Sequence, residues 1–101
     1  MLKFADLPKN TPVKESVDSR RNNFKEIYAR YEKDKALEQA SRCSQCGIPF
    51  CQVHCPLQNN IPDWLMLAAE DRLEEAYEIS SSTNNMPEVC GRICPQDNLC
   101  E

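Results

Sequence analysis

The segment RCSQCGIPFCQVHCPL, residues 42–57, sets four cysteines within thirteen positions, and three more follow in VCGRICPQDNLCE, residues 89–101. Thiols at this density bind one another or bind something else. With 101 residues, 41% of them hydrophobic, the chain can build one small domain with a thin core. Such a domain often needs a disulfide or a metal as a staple.

Three fillings compete. Disulfides suit an even cysteine count and an oxidising compartment. The count here is seven, and MLKFADLPKN lacks the basic leader and apolar run of a secretion signal. A reducing, cytoplasmic setting is expected instead. Zinc is the second filling: Cys43-x2-Cys46 is a half-site that Cys51, His54 or Cys55 could complete. The third is iron–sulfur, and the spacing favours it. The run Cys43-x2-Cys46-x4-Cys51-x3-Cys55-Pro56 differs from the bacterial ferredoxin run C-x2-C-x2-C-x3-C-P by one gap two residues longer. In the ferredoxin run the cysteine before the proline crosses to a second cluster. By that analogy Cys55 joins Cys94 and Cys100 around a second cluster. Two cubanes call for eight ligands, one more than the cysteines supply, and the chain stops one residue after Cys100, which reads as a truncation in mid-motif.

Other functions are excluded by what is missing. The two glycines, Gly47 and Gly91, cannot form a dinucleotide fingerprint or a P-loop. A net charge of −4 argues against binding a phosphate backbone, so no nucleic-acid partner is expected. No apolar stretch approaches the ~20 residues that cross a bilayer, so no membrane partner is expected either. No residue pattern suggests a general acid, base or nucleophile.

The rest of the chain reads as helices. Residues 1–16, with Pro8 and Pro12, form an extended arm. A helix starts near Asp18 or Ser19, and Phe24, Ile27, Tyr28 and Tyr31 make one apolar stripe along it. Asp34 caps a second, short helix with Ala36, Leu37 and Ala40 on its apolar side, delivering Cys43 near its end. Residues 43–57 read as loop, broken by Gly47, Pro49 and Pro56. Pro62 opens a third helix with Ile61, Trp64, Leu65 and Ala68 on one face. Asp71 and Glu74 resemble a capping box for a fourth helix carrying Leu73, Ala76 and Tyr77. SSSTNN then breaks the pattern before a second cysteine loop. The expected fold is all-α, about four helices with two cysteine-rich loops. CQVHCPLQN and CGRICPQDN share C-x3-C-P-x-x-N, an internal echo that hints at two similar turns.

On ASRCSQCGIPFCQVHCPLQNNIPDW, DRLEEAYEI and PEVCGRICPQDNLCE, the chain resembles the N-terminal iron–sulfur domain of the glutamate synthase small (beta) subunit family. Related domains occur in dihydropyrimidine dehydrogenase and in flavin transhydrogenase or sulfide dehydrogenase subunits. The resemblance covers roughly residues 17–101. It implies an α-helical, ferredoxin-like domain with two [4Fe–4S] clusters. Cys43, Cys46 and Cys51 match three ligands of the first, and Cys55, Cys94 and Cys100 three of the second. The remaining ligand of each lies further on in the family, so this chain is expected to hold clusters poorly and to self-associate through exposed surface. Cys90 is not required by the family pattern. His54 fits neither cluster, and Arg92 beside Cys94 either hydrogen-bonds near a cluster or is a solvated charge. The resemblance further implies downstream FAD- and NADPH-binding domains, a large (alpha) subunit as partner, and electron relay from NADPH through FAD to glutamate synthesis.

Overall fold

The computed structural model describes residues 3–98, so Cys100, one of the expected cluster ligands, lies outside the described residues. Six α-helices follow one another: α1 (Val17–Arg21), α2 (Lys33–Ala40), α3 (Phe50–Val53), α4 (Ile61–Ala69), α5 (Leu73–Ser81) and α6 (Pro87–Ile93). Short 3-10 turns occupy Lys3–Ala5 and Gln96–Asn98. There is no β-strand among the described residues, only an isolated antiparallel bridge between Lys14 and Tyr28. The all-α expectation holds.

Helix α4 is the centre. Its residues IPDWLMLAA are apolar almost all round, as befits a helix covered on more than one side. α5 and α2 both pack on it, and α3 touches it. Pro62 stands in its first turn as expected, where its missing N–H has no helical partner to lose. The core is thin: among the described residues Ala40, Cys51, Pro62, Leu67 and Ala76 are the buried apolar ones, joined by buried Ser41 and Asn59.

Asn59 compensates for that thinness with polar bonds. Its amide donates to the Ser80 carbonyl at 2.7 Å and to Thr83 Oγ1 at 3.0 Å, and its Oδ1 accepts the Trp64 indole N–H at 3.0 Å. One side chain before α4 thereby ties α4 to the end of α5.

The first helix departs from expectation. It stops at Arg21, and the stripe of Phe24, Ile27, Tyr28 and Tyr31 is not helical and is exposed. Two asparagines end it. Asn22 Nδ2 donates to the Asp18 carbonyl at 3.0 Å and Asn23 Nδ2 to the Ser19 carbonyl at 2.7 Å. These side chains take the carbonyls that a continuing i→i−4 ladder would use. The chain then pairs back on itself, with Glu15 N–H to the Ile27 carbonyl at 2.8 Å and Ala29 N–H to the Val13 carbonyl at 2.9 Å.

Asp71 does not cap α5; it ends α4. It takes φ 63, and the bonds Arg72 N–H to Leu67 O and Asp71 N–H to Ala68 O form a Schellman closure. Asp71 also pairs with Lys33 at 2.6 Å. Arg72 stands at the N-cap of α5 and grips Glu75 at 2.5 Å and Glu70 at 3.2 Å. That grip holds the Glu75 carboxyl below its ordinary range and the Arg72 guanidinium above its own.

The N-terminal residues run beside the end of α2. Lys3 N–H reaches the Ser41 carbonyl at 3.2 Å, Arg42 Nε the Leu7 carbonyl at 3.0 Å, and Asn10 N–H the Gln39 Oε1 at 3.0 Å. Tyr31 donates its hydroxyl to the Asn10 carbonyl.

Candidate cluster-binding site

The first cysteine segment joins α2 to α4. α2 ends at Ala40 with Ser41 as its C-cap, and Cys43 N–H closes the next turn on the Ala40 carbonyl at 3.3 Å. Cys43 is half-buried and Cys46 exposed, its thiol donating to the Ile48 carbonyl at 3.5 Å. Residues 43–57 are not all loop: Cys51 sits buried within α3, the short helix after Pro49. Cys55 follows α3, half-buried, and a tight turn brings the Gln58 N–H to its carbonyl at 2.9 Å. Gln45 and Gln58 both adopt positive φ, 50° each. Glycine is the residue for which that conformation is unstrained, yet neither glycine of the chain uses it among the described residues.

The second segment is also more helical than expected. Pro87 opens α6, Cys90 lies within it, and Cys94 is its C-cap, bonded N–H to the Cys90 carbonyl at 2.9 Å. The echo between the two segments holds in part. Each segment leaves a helix at or just before its second cysteine and then meets a proline. The following turns differ: Gln96 N–H bonds the Cys94 carbonyl at 2.9 Å, and no bond of that kind links Leu57 to Cys55.

Arg92 is engaged elsewhere than at sulfur. It donates to the Glu26 carboxylate at 2.9 Å and to the Glu88 carbonyl at 3.0 Å, fastening α6 to the N-terminal pairing. The Arg92 guanidinium holds the Glu26 carboxyl below its usual range. His54 stacks on Phe50, ring centroids 6.0 Å apart and 11° from parallel.

Cys43, Cys46, Cys55 and Cys90 are free thiols. Among the described residues, no three His, Cys, Asp or Glu side chains converge closely enough to hold one metal ion. The donor chemistry nevertheless suits iron and sulfide: thiols dominate, and the single imidazole is exposed and stacked on a phenyl ring.

Residues 20–101 match the family described as dihydropyrimidine dehydrogenase domain II, 4Fe-4S cluster. The chain belongs to that family. Over all 101 residues it is 63% identical to the glutamate synthase [NADPH] small chain of Azospirillum brasilense and 50% identical to that of Escherichia coli (strain K12). It is 44% identical over 91 residues to AegA of the same E. coli strain, named as a candidate oxidoreductase. The chain spans 21% of the length of the two small chains and 14% of AegA. Family membership settles the choice among fillings in favour of iron–sulfur over disulfide or zinc. None of the described helices is long and apolar enough to cross a membrane.

Two residues that organise this site were not singled out from the sequence. Asn59 carried a signal, since it is the asparagine of the C-x3-C-P-x-x-N echo. Gln45, between Cys43 and Cys46, carried none beyond its position.

Proposed function

We propose that this chain is the electron-relay module of an NADPH-dependent glutamate synthase-type oxidoreductase. Residues 17–101 form the cluster domain and residues 1–16 an arm bound along it. Cys43, Cys46 and Cys51 hold one [4Fe–4S] cluster, and Cys55, Cys94 and Cys100 contribute to a second. When bound, such clusters supply one-electron transfer, here between a reduced flavin and a large partner subunit that makes glutamate. The protein's own contribution is to hold the first run of thiols beside α4 and to limit water at buried Cys51. The relay works in the cytoplasm, next to FAD- and NADPH-binding domains and the large subunit.

One observation carries this reading. The full cysteine pattern sits in a chain 63% identical, over its whole length, to a glutamate synthase [NADPH] small chain. The similarity to AegA favours a second reading, the same relay domain serving another oxidoreductase.

The test is iron, zinc and acid-labile sulfide per chain after anaerobic reconstitution of the protein extended past residue 101, so that the remaining ligand of each cluster is present. About eight irons with matching sulfide support two cubanes. About one zinc without sulfide would sink the relay reading, because one tetrahedral zinc would then occupy the thiols. Electron transfer from the loaded protein to a glutamate synthase large subunit separates the first reading from the second.

A further inference from the structure

The two thiols of the first C-x2-C pair stand in unlike surroundings. Cys46 donates its thiol to the Ile48 carbonyl. Cys43 instead receives an N–H: Gln45 Nε2 lies 3.4 Å from its Sγ. The same nitrogen lies 2.6 Å from the Pro62 carbonyl oxygen in the first turn of α4. A primary amide nitrogen carries two hydrogens. Both are used here, one on the central helix and one on sulfur. Gln45 holds this pose from a left-handed backbone, φ 50. Buried Pro62 gives the amide a fixed anchor, so the second N–H is aimed before any ligand arrives.

We infer that Gln45 is a positioning residue of the first cluster site. It orients the Cys43 sulfur and stabilises the reduced state of the cluster that Cys43 ligates. The inference rests on the ligand assignment proposed above. One-electron reduction adds one negative charge, part of which falls on ligand sulfur. An N–H aimed at that sulfur favours the more negative state, and hydrogen bonds to sulfur are among the determinants of cluster potential. No bond is made or broken, and the electron comes from reduced flavin in the relay or from dithionite in the test.

Two variants test it in the same extended, anaerobically reconstituted protein. Gln45→Gly keeps the left-handed backbone without strain and removes the amide. Gln45→Leu keeps bulk and removes only the donors. The readouts are iron and sulfide per chain and an EPR-monitored dithionite titration. Both variants are expected to load like the wild type, with one cluster harder to reduce by roughly tenfold, about 59 mV for one electron, and the other unmoved. Loaded variants with wild-type potentials would overturn the inference, leaving Gln45 as a loop anchor alone. Loss of the cluster from both variants would overturn it too, since Gln45 would then build the site rather than tune it. A wild-type extended protein without iron and sulfide would defeat the ligand assignment itself, and this inference with it.

Discussion

Replacing Asn59 with alanine tests whether polar bonds substitute for a large core. Asn59 is 8% exposed and makes three bonds, to the Ser80 carbonyl, Thr83 Oγ1 and the Trp64 indole. Thr83 is exposed, so water replaces its bond at little cost. The Ser80 and Trp64 groups are partly buried, and each lost bond costs about 1 kcal/mol, rising where the abandoned group stays dry. The expected destabilisation is therefore about 2–3 kcal/mol. For a chain of this size that lowers Tm by roughly 10–20 °C. Trp64 is the only tryptophan and touches the altered residue, so its emission reports the local change while far-UV circular dichroism reports the helices. Denaturant unfolding of wild type and Asn59→Ala, at matched iron content, gives the difference. Thr83→Ala is the control and should cost under about 0.5 kcal/mol. A loss below about 0.5 kcal/mol for Asn59→Ala itself would show that solvent satisfies these groups, and that α4 and α5 hold together by apolar contact alone.

Gly91 lies inside α6, and a Cβ added there meets nothing within 4 Å, so Gly91→Ala should raise stability by about 1 kcal/mol in thermal melts. A fall in Tm would mean that the open space is needed. Asp71→Val places a β-branched residue at φ 63 and should cost about 1–2 kcal/mol, nearly all of it backbone strain because the Lys33 pair is exposed. Asp71→Gly, which loses the same ion pair without the strain, should cost less; equal losses would assign the effect to the pair. Glu26 has a folded pKa below its ordinary 4.5 because of Arg92. Its stabilisation is present above the unfolded value and disappears as pH falls through the folded one. Wild type and Glu26→Gln should therefore differ in stability at pH 7 and converge as pH falls below the lowered Glu26 pKa; a gap independent of pH would remove the ion pair as its cause.

Legibility in the sequence tracked how local each determinant is. α4 was readable because Pro62 and the run from Ile61 to Ala69 carry start signal and burial in one stretch. α2 was readable from Ala36, Leu37 and Ala40. At 22–31 the apolar period loses to a local competitor. Phe24, Ile27, Tyr28 and Tyr31 fit a helix, but Asn22 and Asn23 take its carbonyls first. Asp71 was ambiguous in kind: an acid before an apolar run suits a helix start, and the same residue closed the helix behind it in a left-handed turn. α6 was hidden by Gly91 and the cysteines, although Pro87 marks its first turn. In the site, cysteine spacing told which chemistry to expect. It could not tell that Arg92 reaches across 66 positions to Glu26, since nothing near Arg92 in sequence encodes that partner.

The first cysteine segment is tied to α4 at both ends. Near its start, Gln45 bonds the Pro62 carbonyl; after it, Asn59 bonds the Trp64 indole. Both tethers run from a side chain to a group within the first turn of the same helix. The stretch between them, from Cys46 to Gln58, therefore has fixed ends and its own short helix, α3, holding buried Cys51. Fixed ends limit how far the thiols can spread before anything binds, and so reduce the entropy lost when they are gathered. Among the described residues, the second segment shows no such pair of tethers to α4. α6 is fastened through the exposed Arg92–Glu26 pair, and an exposed pair is worth little. The two halves of the cysteine pattern thus begin from unequal order. The run from Cys46 to Cys55 is framed by the protein's own core helix.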